Sequence, residues 1–144
     1  MVRKTSFRQR TAKERHGAAA VEFALVAPLF ILMVFGILEY GRMVMVQQVL
    51  TNAVREGARA AVLDGATIAG VRTSVNNYLT QASVPAATVN VNDGVEPSAL
   101  QQGAPVTVTA QLAFGQVSWL PSPMYISKTR QLQASCVMRR EAAQ

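Results

Sequence analysis

Gly17, Ala18 and Glu22 are the residues whose types and spacing most invite chemistry. They lie in "HGAAAVEFALVAPLF", where Glu22 is the fifth residue after Gly17 and the lone carboxylate in a stretch that turns almost wholly apolar. A peptidase cutting after Gly17 would release everything before it and leave a new α-amino group on Ala18. A carboxylate deep in a bilayer costs about 2.5 to 3.5 kcal/mol, and less near an interface, so Glu22 needs a partner or water. The amine of its own Ala18, the Ala18 of a neighbouring copy and interfacial water are the three partners open to it. In a low-dielectric helix bundle an amine–carboxylate pair is worth forming, and an unpaired Glu22 is costly.

Other chemical candidates are sparse. The only histidine, His16, precedes Gly17, so no Ser/His arrangement is available to the rest of the chain. Cys136 is the sole cysteine, which excludes an internal disulfide and a multi-cysteine zinc site. No G-x-x-x-x-G-K-[ST] phosphate cradle occurs. Asp93 and Glu96 are the nearest acidic pair in the C-terminal part, and their Gly/Pro-rich turn reads as a solvated loop rather than an acid–base site. The expectation is a protein that is not an enzyme, with no cofactor, no metal and no small-molecule substrate.

The elements that must position these residues begin with charge. Six of the 14 Lys and Arg (Arg3, Lys4, Arg8, Arg10, Lys13 and Arg15) fall in residues 1–17 against Glu14 alone, a net +5, which leaves +1 for all that follows. A basic arm that abuts an apolar run is a topology determinant more simply than a nucleic-acid contact, and no nucleic-acid partner is expected. Residues 23–38, "FALVAPLFILMVFGIL", carry no polar side chain, and residues 18–22 extend the run to 21. About 20 helical residues cross a bilayer core. Only Arg42 and Arg55 occur in the twenty residues after the run, so the positive-inside rule keeps the N-terminus cytoplasmic and exports the remainder. The small-x-small pattern of a secretory cleavage site is missing, because the run leads into "EYGRMVMVQQ". Pro28 removes the hydrogen bond to the Ala24 carbonyl and favours a kink, which membrane helices tolerate.

Beyond the run, Met43, Val46, Leu50, Ala53, Gly57 and Ala60 recur at spacings of three and four, the face of an amphipathic helix. Ala53, Gly57 and Ala61 form a small-residue track for close approach of another element. Asp64-Gly65 is the expected stop, so residues 18–63 predict one helix of 46 residues, about 69 Å long. Its lower half is expected to cover the chain's own C-terminal part, other subunits, or both. Ile68, Val71, Val75 and Leu79 predict a second helix over 67–82. Alternation at 87–92, 106–114 and 130–138 predicts three strands, with Leu132, Ala134, Cys136 and Met138 on one face and Cys136 a small core residue. The fold class expected is α+β: a long helix, then a small head of one helix and a short antiparallel sheet. The domains expected are a basic cytoplasmic leader 1–17, a transmembrane helix 18–38, its amphipathic extension 39–63 and an extracytoplasmic head 64–144.

The runs "GAAAVEFALVAPLFILMVFGILEYGR" (17–42) and "VLTNAVREGARAAVL" (49–63) resemble the TadE-like family of the tight-adherence (Tad, or Flp) pilus systems, over about a third of the chain. The basic leader ending in Gly17, with Glu22 at mature position five, resembles the class III signal of type IV prepilins and pseudopilins. This resemblance implies a pseudopilin or minor pilin-like protein of the inner membrane, cut by an aspartyl prepilin peptidase between Gly17 and Ala18, with Glu22 setting subunit register. Its implied partners are the membrane, that peptidase and other pilins or pseudopilins of a Tad system. Many type IV pilins begin with Phe after the cut, whereas this chain would begin with Ala18, which suits the Tad branch and leaves N-methylation of the terminus open. The alternative is an uncleaved single-pass protein whose extracytoplasmic head is a binding module.

Overall fold

The computed structural model describes residues 7–120 and 126–140, with side chains from residue 17 onward. The basic side chains of the leader therefore lie outside the described residues. Helix α1 runs Phe7–Ala61 and contains Pro28. It starts earlier than the apolar run because residues 7–16, "FRQRTAKERH", are mostly good helix formers with no proline or glycine among them. It stops just before Val62, in a turn where Gly65 takes φ +73°, a left-handed conformation natural to glycine. The chain divides into two compact units, Met1–Leu38 and Glu39–Gln144.

In the first unit, side chains 21–38 are exposed except for the half-buried Ala27 and Gly36. The helix is long and apolar enough to cross a membrane. Burying one large apolar side chain is worth about 1.5 to 3 kcal/mol. Phe23 at 72% exposure, Leu25 at 74% and Leu29 at 70% therefore leave a large apolar surface that this unit does not itself cover.

The second unit is an α+β head. Helix α2 (Ile68–Gln81) follows α1, then strands β1 (Thr88–Val91), β2 (Pro105–Ala113) and β3 (Gln131–Arg139) form an antiparallel sheet in the order β1-β2-β3. Val91 pairs with Val108, and Val108 with Cys136, so the inward-pointing residues line up across the sheet. Val89 and Val91 of β1, Val106, Val108, Ala110 and Leu112 of β2, and Leu132 and Ala134 of β3 are buried, whereas the alternate residues are more open. That period of two is what a sheet with one covered face requires. The core is completed by Val46, Leu50 and Val54 of α1, by Val71, Val75 and Leu79 of α2, and by Phe114.

The ends of α2 are held by specific contacts. Thr67 caps the N-terminus, its Oγ1 accepting from Gly70 N at 3.1 Å, and Glu96 Oε2 accepts from Ile68 N at 2.8 Å. Both satisfy N–H groups that the first turn leaves unpaired. At the other end Val84 N donates to the Leu79 carbonyl and Ser83 N to that of Thr80, a Schellman closure with Ser83 at φ 55° where glycine is usual.

Candidate processing and assembly site

Gly17 and Ala18 lie inside the helical backbone of α1, both exposed. A side chain added at Gly17 would meet nothing within 4 Å, so packing does not require glycine there. Glycine in a helix interior costs about 1 kcal/mol relative to alanine, which makes position 17 a weak point in the hydrogen-bond ladder. Weak points of this kind are where a helix opens locally most readily.

The Glu22 side chain is exposed and pairs with no group among the described residues. Ala18 and Glu22 are four residues apart, on one face of the helix. While α1 begins at Phe7, Glu22 sits far from the positive end of the helix dipole. Removal of residues 1–17 would bring it to the edge of the first turn, beside a new amine, where a carboxylate is favoured by about 0.3 to 1 kcal/mol. Pro28 is exposed within the same unit.

The other candidate residues lie in the head. Val46, Leu50 and Ala53 are fully buried in the core, Gly57 is buried, Met43 packs against the core half-buried, and Ala60 is half-buried. Val54, Ala58 and Ala61 join this face, making it broader than the three–four spacing of the first set indicated. A Cβ at Gly57 would come within 2.3 Å of Val75 Cγ2, so here glycine is demanded by the approach of α2. The structure thus gathers the helix face from residue 43 onward into the head's own core and leaves Gly17, Ala18, Glu22 and Pro28 in the other unit.

Three residues that sequence patterns did not single out hold the head together. Glu39, the first polar residue after the apolar run, is only 5% exposed, and its Oε1 accepts a short hydrogen bond from Ser118 Oγ. One turn on, Arg42 Nε donates to the Val117 carbonyl at 3.3 Å, and its guanidinium lies 5.2 Å from the centre of the Trp119 ring. Arg140 donates to the carbonyls of Ser98 and Leu100 and pairs with Asp64 at 3.1 Å, tying the turn after α1 to the loop before β2. The one available signal for Glu39 was its position, a charge at the very end of an apolar run with Arg42 three residues later.

The acidic pair of the head resolves into two separate structural roles. Asp93 Oδ1 accepts from Asn90 Nδ2 at 3.0 Å, while Glu96 caps α2. Cys136 is a free, half-buried thiol packed against the core. Among the described residues, no three His, Cys, Asp or Glu side chains gather as metal ligands would.

Comparison with known proteins places a family on the N-terminal segment: residues 17–59 match the family model described as TadE-like protein. No curated protein and no solved structure matches the chain. The matched segment opens at Gly17, carries Glu22, Pro28, Glu39 and Arg42, and ends two residues before the end of α1.

Proposed function

We propose that this chain with its TadE-like segment is a Tad-type pseudopilin or minor pilin-like structural protein, matured by cleavage between Gly17 and Ala18. The family is a structural, pilus-related one, so catalysis is not the reading it supports. The observation that carries the proposal is that the family match begins at Gly17 and leaves the basic leader outside it. The exposed apolar helix adds to it, since that surface suits lipid before assembly and other subunits after it. In this reading the leader holds the N-terminus in the cytoplasm, and a prepilin peptidase removes it. Glu22 then meets the amine of an Ala18, its own or a neighbour's, as subunits of the pilus system are brought into register. The head stands outside the inner membrane, built around the lower part of α1.

Co-expression with a prepilin peptidase, followed by N-terminal sequencing of the membrane-extracted protein, tests the proposal. The expected product begins at Ala18, and Gly17→Ala is expected to leave the chain whole. A wild-type chain that keeps its leader under these conditions overturns the proposal in favour of the uncleaved anchor.

A further inference from the structure

The chain has one tryptophan, and the fold leaves it in the open: Trp119 is 70% exposed, although Val117 beside it is buried. Its segment is pinned by a single turn of α1. Ser118 is held by the buried Glu39, and the Val117 carbonyl by Arg42, whose guanidinium also lies against the Trp119 ring at 5.2 Å. That distance is within the reach of a cation–π contact. Tyr40, between Glu39 and Arg42 in the chain, is 61% exposed. An exposed indole on a tethered segment is a large apolar surface held in place without a cover.

Its tether to residues that directly follow the apolar run in the chain identifies the cover. The apolar run ends at Leu38, and Tyr40 and Arg42 follow by two and four residues, a rise of about 3 and 6 Å. A bilayer has a hydrocarbon core of about 30 Å within a total of about 40 to 45 Å, which leaves some 5 to 7 Å of headgroup zone on each side. Tryptophan and tyrosine concentrate in that zone, and arginine extends its guanidinium into it. We propose that Trp119, Tyr40 and Arg42 form an interfacial anchor in the headgroup layer, next in the chain to the span read at residues 18–38. A lipid phosphate is the natural acceptor for the guanidinium. The anchor rests on the reading of residues 18–38 as a span, and the experiment reads the two separately.

The full chain is reconstituted into vesicles of phosphatidylcholine and phosphatidylglycerol. Flotation after alkaline carbonate extraction reads the span; a chain that does not float overturns the span and the anchor together. In the floated protein, fluorescence reports Trp119 alone, because no other tryptophan is present. The expected result is emission shifted to shorter wavelength than in the urea-unfolded chain. Strong loss of intensity is expected with lipid bearing a doxyl label near the glycerol backbone, and weaker loss with the label at the acyl terminus. Arg42→Gln is expected to float as before while losing much of the shallow quenching. Water-like emission with no lipid quenching in a floated chain overturns the anchor and leaves the span standing. A blue shift that ignores the lipid labels and grows with protein density assigns the ring to a second copy, and also overturns it. The depth profile of the wild-type chain decides the matter even if Arg42→Gln fails to fold.

Discussion

At the scale of single residues, glycine appears in two opposite roles. At Gly57 the space is already taken: Gly57→Ala forces its methyl into Val75, a buried, β-branched side chain with little freedom to move. Overpacking of this kind costs about 1 to 3 kcal/mol, so a lowered denaturation midpoint is expected in circular dichroism melts of the detergent-solubilised chain. At Gly17 the space is empty and alanine is the better helix former, so Gly17→Ala should not lower that midpoint while abolishing processing. Ser83 is the reverse of Gly57, since a non-glycine residue occupies φ 55° at the close of α2. Ser83→Gly is expected to raise the melting midpoint, by about 0.5 to 1 kcal/mol of stability, through relief of the left-handed strain. For Glu22 the prediction separates two steps. Under the proposed reading, Glu22→Gln keeps the bond between Gly17 and Ala18 available and is expected to be cleaved to the same extent as the parent chain, yet to lose co-purification with a co-expressed pilin of a Tad system. Loss of cleavage instead would assign Glu22 to peptidase recognition.

At the scale of elements, what could be read beforehand was what periodicity encodes. The helix over 67–82 formed as Ile68–Gln81, because Val71, Val75 and Leu79 repeat at the helical interval on its buried side. The strands expected at 87–92, 106–114 and 130–138 formed within two residues of those limits, because alternation marks a sheet with one covered face. Periodicity carries no information about which loop meets which turn of helix. Glu39 and Ser118 are 79 positions apart, and Arg140 and Asp64 are 76 apart, so neither pairing leaves a local trace in the sequence. Glu39 in particular reads as an exposed end-of-span charge until the fold brings a hydroxyl to it. The early start of α1 is hidden for a different reason: residues 7–16 carry no apolar periodicity, although their helix propensity is high. Arg140 shows which contact of a polar cluster matters. Its ion pair with Asp64 is largely solvent-exposed on the carboxylate side and is worth about 0 to 1 kcal/mol, whereas charged hydrogen bonds such as those to Ser98 and Leu100 are worth about 1.5 to 3. Asp64→Asn is therefore expected to shift the melting midpoint little and Arg140→Met clearly more.

At the scale of the whole molecule, the distribution of charge is the feature that acts first. Orientation in a membrane follows Lys and Arg close to the ends of the span, with acidic residues contributing little. Six basic residues precede the apolar run within 17 positions, against Arg42 and Arg55 in the twenty that follow. The leader thus has two functions under the proposed reading: it orients the chain while attached, and its removal frees the Ala18 amine. The two are separable by substitution. Replacing Arg3, Lys4, Arg8, Arg10, Lys13 and Arg15 with Gln erases the bias and leaves Gly17, Ala18 and Glu22 untouched. With only Arg42 and Arg55 left near the span, the expected result is a mixed or inverted population. Protease added outside spheroplasts should then digest the head in the wild-type chain but spare it in a large share of the substituted chain. Processing should fall in the same proportion, because an inverted chain presents Gly17 on the side away from the cytoplasm. If the head stays fully accessible while processing is lost, the basic residues are needed for peptidase recognition rather than orientation. Full accessibility with normal processing would mean that the apolar run and the exported head set the orientation without the leader's charge.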